Sequence, residues 1–261
     1  MAALTDNRDT RELESGRGQV AQFDIYNDEI VYAGGMLAVD YAGEVHAAGD
    51  TLGLRVLGCV PVKVDNADDG EKSEVQRGIF RYANSETYPL SRNNIGHPCY
   101  VEDDQTVAGH STNLVAAGLV HDVDSEGVWV DQSLAATQTA IRQAKQKVVA
   151  VTAENLSVTT AQCFQGNVVV TAENSSATTL TLPTAAAGYR LGVQRINAGA
   201  GYDVVVTAAS ADKVRGSTEA GTITNDTDAV SDVLYLETVN ATDWVDASPL
   251  AKDRAEWAPS T

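Results

Sequence analysis

The sequence predicts a mainly β protein with a small N-terminal β-barrel or sandwich domain, a linker helix and a C-terminal β-sandwich domain. Three observations predict it. Residues 20–130 are short runs of strand-favouring residues broken at Gly, Asn and Asp. Residues 131–147, DQSLAATQTAIRQAKQK, hold no Gly or Pro and are rich in Ala and Gln. From residue 148 onward Val, Thr and Ala dominate, in alternations that suit a half-buried antiparallel sheet.

Taken in chain order, residues 1–19 are polar, charged and without period, which predicts an extended arm, disordered alone or ordered by a partner. Strands then follow at Ile30–Tyr32, Met36–Val39, Leu52–Gly58, Cys59–Val64, Gly78–Tyr82 and Val128–Val130. Turns are expected at Gly34-Gly35, Ala42-Gly43, Asn66 to Gly70 and Glu126-Gly127. Across 131–147 the spacing of Leu134, Ile141 and Val148, with Thr137 and Ala144 between, predicts a helix of about four turns with a thin apolar stripe. In 148–246 strands are expected at Thr178–Leu182, Tyr189–Ile196, Asp232–Val239 and Trp244-Val245. Val151-Thr-Ala-Glu-Asn155 recurs as Val170-Thr-Ala-Glu-Asn174 and is echoed at Val204–Ala208. The unequal spacing of these echoes argues for a sandwich and against a solenoid. Residues 247–261, with Pro249 and Pro259, read as a loosely ordered tail.

Charge narrows the function. Eighteen Lys and Arg stand against 36 Asp and Glu, a net charge of −18. Residues 1–130 carry −13 of it, from 9 basic and 22 acidic side chains. Such a field repels phosphate backbones and anionic lipid, so nucleic acid and membrane are not expected partners. Cys59, Cys99 and Cys163 are odd in number and lack CxxC spacing, so they read as buried free thiols rather than a disulfide framework or zinc site. The N-terminus has no apolar signal core, and no apolar run reaches the length of a membrane span.

His46, His97, His110 and His121 are scattered without HExxH or i,i+4 companions and read as turn or surface histidines. There is no GxSxG elbow, no phosphate-binding loop and no dinucleotide fingerprint, so no catalytic residue, cofactor or metal ligand is assigned. Asp122-Val-Asp124-Ser-Glu126-Gly127 imitates the start of a calcium loop. Its twelfth position is Ser133 where a bidentate Glu is needed, so it reads as an acidic hairpin. Asp65 to Gly70 and Glu102 to Asp104 read the same way.

The ordered motifs carry more. They are Gly34-Gly35-Met36-Leu37-Ala38-Val39-Asp40, Leu57-Gly58, Val64-Asp65-Asn66, Val75-Gln76-Arg77-Gly78-Ile79-Phe80 and Ala83-Asn84. Ile95-Gly96-His97-Pro98-Cys99-Tyr100-Val101-Glu102-Asp103-Asp104-Gln105-Thr106-Val107, then Ala116-Ala117-Gly118 and Val123 to Val130, complete the series. In this order residues 20–130 resemble the capsid cement, or head decoration, proteins of tailed phages. The resemblance implies a β-rich body on the outer capsid surface that clamps adjacent major capsid proteins, commonly as a homotrimer, after synthesis in the host cytoplasm. The resemblance does not reach the arm, but its polar, aperiodic sequence offers the candidate capsid contacts Asp6, Arg8, Arg11, Glu12 and Arg17. The helix and second β-domain exceed the minimal family pattern. An alternative reading makes that second domain an adhesion module for host glycan, and a third makes the chain a depolymerase with paired carboxylates in a groove.

Overall fold

The computed structural model describes residues 5–6, 12–14, 20–68, 70–173, 176–196, 203–209, 212–214, 222–225, 233–238, 242–247 and 258–259. The chain is mainly β and divides into two units, residues 1–145 and 146–261.

Unit 1 contains β1 (Glu12–Glu14), β2 (Val20–Asp24), β3 (Ile30–Val31), β4 (Met36–Val39), β5 (Val45–Ala47), β6 (Arg55–Cys59) and β7 (Val64–Asp65). These are followed by β8 (Lys72–Gln76), β9 (Ile79–Asn84), β10 (Pro98–Asp103), β11 (Thr106–Ala108), β12 (Ala116–Asp124), β13 (Gly127–Asp131) and α1 (Leu134–Gln143). The first sheet runs β2-β8-β6-β4-β5, all antiparallel. Period-two alternation lets it serve two cores. Met36, Ala38 and Val56 face one cluster, whereas Leu37 and Leu57 face another with Ile25, Val31 and Val75.

The larger cluster joins this sheet to a second one. There the pairings run β9–β11–β10–β12–β13, and β13 returns to β9, so the circuit closes. Phe80, Tyr82, Val101, Val107, Ala117, Val128 and Val130 fill its side of the core. Closure removes the unpaired edges that would otherwise template aggregation. One short edge of β9 is left over. β13 takes residues 79–82 on one side, and β11 takes only Ala83 and Asn84 on the other. β1 fills the remainder, with Glu12 opposite Phe80 and Glu14 opposite Ile79. Inside the circuit the Tyr82 hydroxyl donates to Gln132 Oε1 at 2.9 Å, and Gln132 Nε2 donates to the Ala117 carbonyl, so this buried amide is satisfied.

Helix α1 is shorter than the sequence suggested, and its buried face differs. Ser133 caps it, accepting from the Ala136 amide. Ala136, Thr137, Ala140 and Ala144 are buried, whereas Leu134 is 45% exposed. Ala140 and Ala144 pack with Tyr100, Leu114 and Ala116, with Ile141 alongside. Small side chains permit close approach to β10 and β12, so the contact face is set by Ala rather than by the Leu134–Ile141–Val148 stripe. Val148 is not helical at all. It lies in a strand of unit 2 and is 55% exposed.

Unit 2 contains β14 (Lys147–Val151), β15 (Asn155–Ser157), α2 (Thr160–Gln165), β16 (Val168–Ala172), β17 (Thr178–Thr181), β18 (Arg190–Arg195) and β19 (Val204–Thr207). It continues with β20 (Lys213–Val214), β21 (Thr222–Asn225), β22 (Leu234–Thr238), β23 (Asp243–Asp246) and β24 (Ala258–Pro259). The alternation of Val and Thr had suggested antiparallel pairing, but the first six strands pair in parallel. β14, β16 and β18 form one parallel set, and β15, β17 and β19 form another. Successive strands therefore visit two sheets in turn, three times over, a coiled path that the unequal echoes had argued against. β22 and β21 then close onto the two sets antiparallel. All five residues of β16 are buried, as expected for a central parallel strand covered on both faces. The short α2, which has no counterpart among the sequence expectations, lies against β16 and β18 and is held by a Thr159–Gln162 capping box.

Candidate functional site

Of the arm residues proposed as capsid contacts, Asp6 lies in an exposed bend and Glu12 in β1. Arg8, Arg11 and Arg17 lie outside the described residues.

The acidic segment Asp122–Gly127 is the β12–β13 hairpin. Asp124 Oδ1 accepts from the Glu126 and Gly127 amides at 2.7 and 3.0 Å, and Oδ2 accepts from Trp129 Nε1 at 2.7 Å. These donors belong to the hairpin itself, so both oxygens are engaged in closing the turn. Arg81 lies over the Trp129 ring, 5.7 Å from its centroid, and pairs with Glu126. The Trp129 indole, then the Glu126 amide, hold the Asp124 carboxyl below the usual carboxylate range. A lowered folded pKa contributes stability above the ordinary range and loses it as pH falls through the folded value. The parent's melting temperature should therefore fall more steeply than that of Asp124→Asn as pH drops below about 4. Parallel slopes in differential scanning calorimetry would refute this role.

The other acidic loops are similar. Asp65 Oδ1 accepts from the Ala67 amide and Asp103 Oδ1 from the Gln105 amide, both two residues on. Ser111 donates to Asp50 at 3.0 Å, while the neighbouring His110 ring packs against Tyr88, so the adjacent pair acts separately. All three cysteines are buried thiols outside any disulfide, and burial pushes the Cys99 and Cys163 thiols up to about 12.

One histidine departs from the surface reading. His97, His110 and His121 are exposed, but His46 on β5 is half-buried. The β4–β5 hairpin brings it beside Asp40 and Glu44, and Glu29 reaches in from the chain before β3. Asp40 Oδ1 accepts from the amides of Ala42 and Glu44, each at 2.9 Å, which fixes the turn. His46 Nδ1 is 2.9 Å from Glu29 Oε2, and Glu29 Oε1 accepts from the Ala47 amide at 2.7 Å. The Tyr26 ring lies against His46 with centroids 4.7 Å apart. A recess of about 320 Å³ opens here, with Leu52 and Leu54 on its apolar side. Sequence spacing alone could have flagged only Glu44 and His46, two apart and therefore on one face of a strand. Glu29, 17 residues before His46, has no such signal.

The chain matches no protein-family model, no curated protein and no solved structure. No described helix is long and apolar enough to cross a membrane.

Proposed function

We propose that the chain is a structural virion protein that decorates the outer surface of a tailed-phage capsid and stabilises it by bridging major capsid protein subunits, acting as a homotrimer. The observation that carries this reading is where the family-like motifs fall. Gly78-Ile79-Phe80 opens β9, Pro98 to Val107 runs through β10 and β11, and Ala116 to Gly118 and Gly127 to Val130 lie in β12 and β13. These later motifs occupy consecutive strands of a single closed circuit and its turns, which we read as a small barrel, while the earlier ones, from Gly34–Asp40 to Val75-Gln76, lie in β4, β6, β7 and β8. We read the two strand sets of unit 2 as the layers of a sandwich-like projection.

Charge supports an external position. Net charge −13 over residues 1–130 suits a surface away from packaged DNA. A modest interface suffices for this role, because each copy that bridges two subunits resists their separation, and a trimer engages several sites at once. Among the described residues the exposed tyrosines Tyr26, Tyr41 and Tyr88 all lie in unit 1, and Trp244 of unit 2 is fully buried.

Cosedimentation of the purified chain with expanded capsids lacking it tests the proposal. Saturable binding at a fixed ratio to the major capsid protein is expected. Binding to unexpanded and expanded shells alike, or to neither, would count against it.

A further inference from the structure

We propose that Asp40, Glu44 and His46 form a binding site for one divalent transition-metal ion of the zinc class, with Glu29 as the residue that positions His46. This is independent of capsid binding. Each of the three residues offers a ligand atom, and these atoms lie within 4.8 Å of one another.

The argument rests on where the protons are. A carboxylate only accepts hydrogen bonds, so the 2.9 Å contact between His46 Nδ1 and Glu29 Oε2 puts the ring proton on Nδ1. In the neutral ring Nε2 is then a lone-pair donor to a metal. It faces Asp40 Oδ2 at 4.0 Å, beyond hydrogen-bond reach. Asp40 Oδ1 is already engaged by two backbone amides, so Oδ2 is the oxygen turned to the histidine. Two lone-pair atoms this far apart, with a further carboxylate beside them, have room for an ion bonded at about 2.0–2.2 Å to each.

The arrangement of Glu29, His46 and the gap is that of a carboxylate–histidine–metal relay, in which the outer carboxylate fixes the tautomer and raises ligand basicity. Glu29 is itself anchored by the Ala47 amide, and Tyr26 backs the ring, so the imidazole is held before any ion arrives. One imidazole with two carboxylates suits zinc and its neighbours better than calcium or magnesium, which prefer all-oxygen shells. The recess beside the hairpin leaves a further coordination position open to water or a small anionic ligand.

Zinc titration of the full chain by calorimetry, with nitrogen-15 NMR of the histidine rings, tests the site. One equivalent of Zn²⁺ should bind, shift His46 Nε2 and leave the Nδ1 proton in place, and excess Ca²⁺ should not displace it. His46→Gln should abolish this event. Glu44→Gln, at an exposed side chain, should weaken it with the metal-free melting temperature unchanged. Glu29→Gln should weaken it by about 10- to 100-fold, because its amide can donate to Nδ1 and move the ring proton to Nε2. NMR reads that tautomer directly in the folded, metal-free protein. Absence of stoichiometric binding, or equal affinity in His46→Gln, would overturn the site. Unchanged affinity in Glu29→Gln would overturn the positioning role.

Discussion

Replacing Gly118 by alanine should destabilise unit 1 by about 3–5 kcal/mol, a large share of an ordinary domain's stability. Gly118 lies in β12 with φ of 155°, a conformation that side-chain-bearing residues rarely adopt. A Cβ there would sit 2.4 Å from the Asp131 carbonyl oxygen and 2.7 Å from Val130 Cγ1. The first of these is backbone of the neighbouring strand, and it cannot rotate away. The opposite pairing shifts register between Cys99 and Tyr100, so the glycine sits where the sheet bulges and turns. Gly127 is built alike, with φ of 158° and a Cβ position 2.3 Å from the Tyr82 carbonyl oxygen. Gly43 is the control. Its φ is 87°, but nothing lies within 4 Å of its Cβ position, so Gly43→Ala should cost only about 1 kcal/mol. Urea unfolding of residues 1–145, where Trp129 is the sole tryptophan, reads both variants. Equal midpoints for Gly118→Ala and Gly43→Ala would contradict the steric account.

Residues 1–145 alone should still occupy expanded capsids to the same ratio as the full chain, and residues 146–261 alone should not bind. The division of the chain makes this expectation sharp. Each unit has its own buried residues, and α1, which the sequence suggested as a linker, packs on β10 and β12 of unit 1. A cut after Lys145 therefore keeps the helix with the strands it covers. It also keeps the hydrogen bond from the Lys145 amide to the Tyr100 hydroxyl, 2.6 Å long. Capsid occupancy by unit 2 but not unit 1, measured by gel densitometry of sedimented shells, would move the anchor to the C-terminal half.

Most strands and turns expected in residues 20–130 were legible because their signals are local, but the run Cys59–Val64 is no single strand: β6 ends at Cys59 and β7 begins at Val64, with Pro61 in the bend between. Gly34-Gly35 and Ala42-Gly43 mark turns where a positive φ is needed, and Met36–Val39 alternates between two cores. Their partners were not legible. Nothing near Ala83 in the sequence announces a parallel neighbour at Thr106, and ring closure by β13 on β9 joins residues about 50 apart. In the second unit the repeated Val-Thr-Ala-Glu-Asn misleads about register. Val151 sits opposite Ala172, not Val170, and the third echo lies in β19, in the other sheet. The offset of two keeps side chains on the same faces, which is why the echo is visible without being a structural repeat. Helix α2 is too short for a period to emerge, and only Thr159, Gln162 and Gly166 signal its ends. The His46 cluster was missed because its key contact, Glu29, is set by tertiary packing.

The most direct test of the central claim is the temperature at which DNA-filled heads lacking this protein release their DNA, measured with and without the purified chain. Bridging of capsid subunits predicts a higher release temperature that saturates when every site is filled and falls back when unit 1 is destabilised by Gly118→Ala. An unchanged release temperature at full occupancy would contradict the stabilising role, and no occupancy at all would contradict decoration itself.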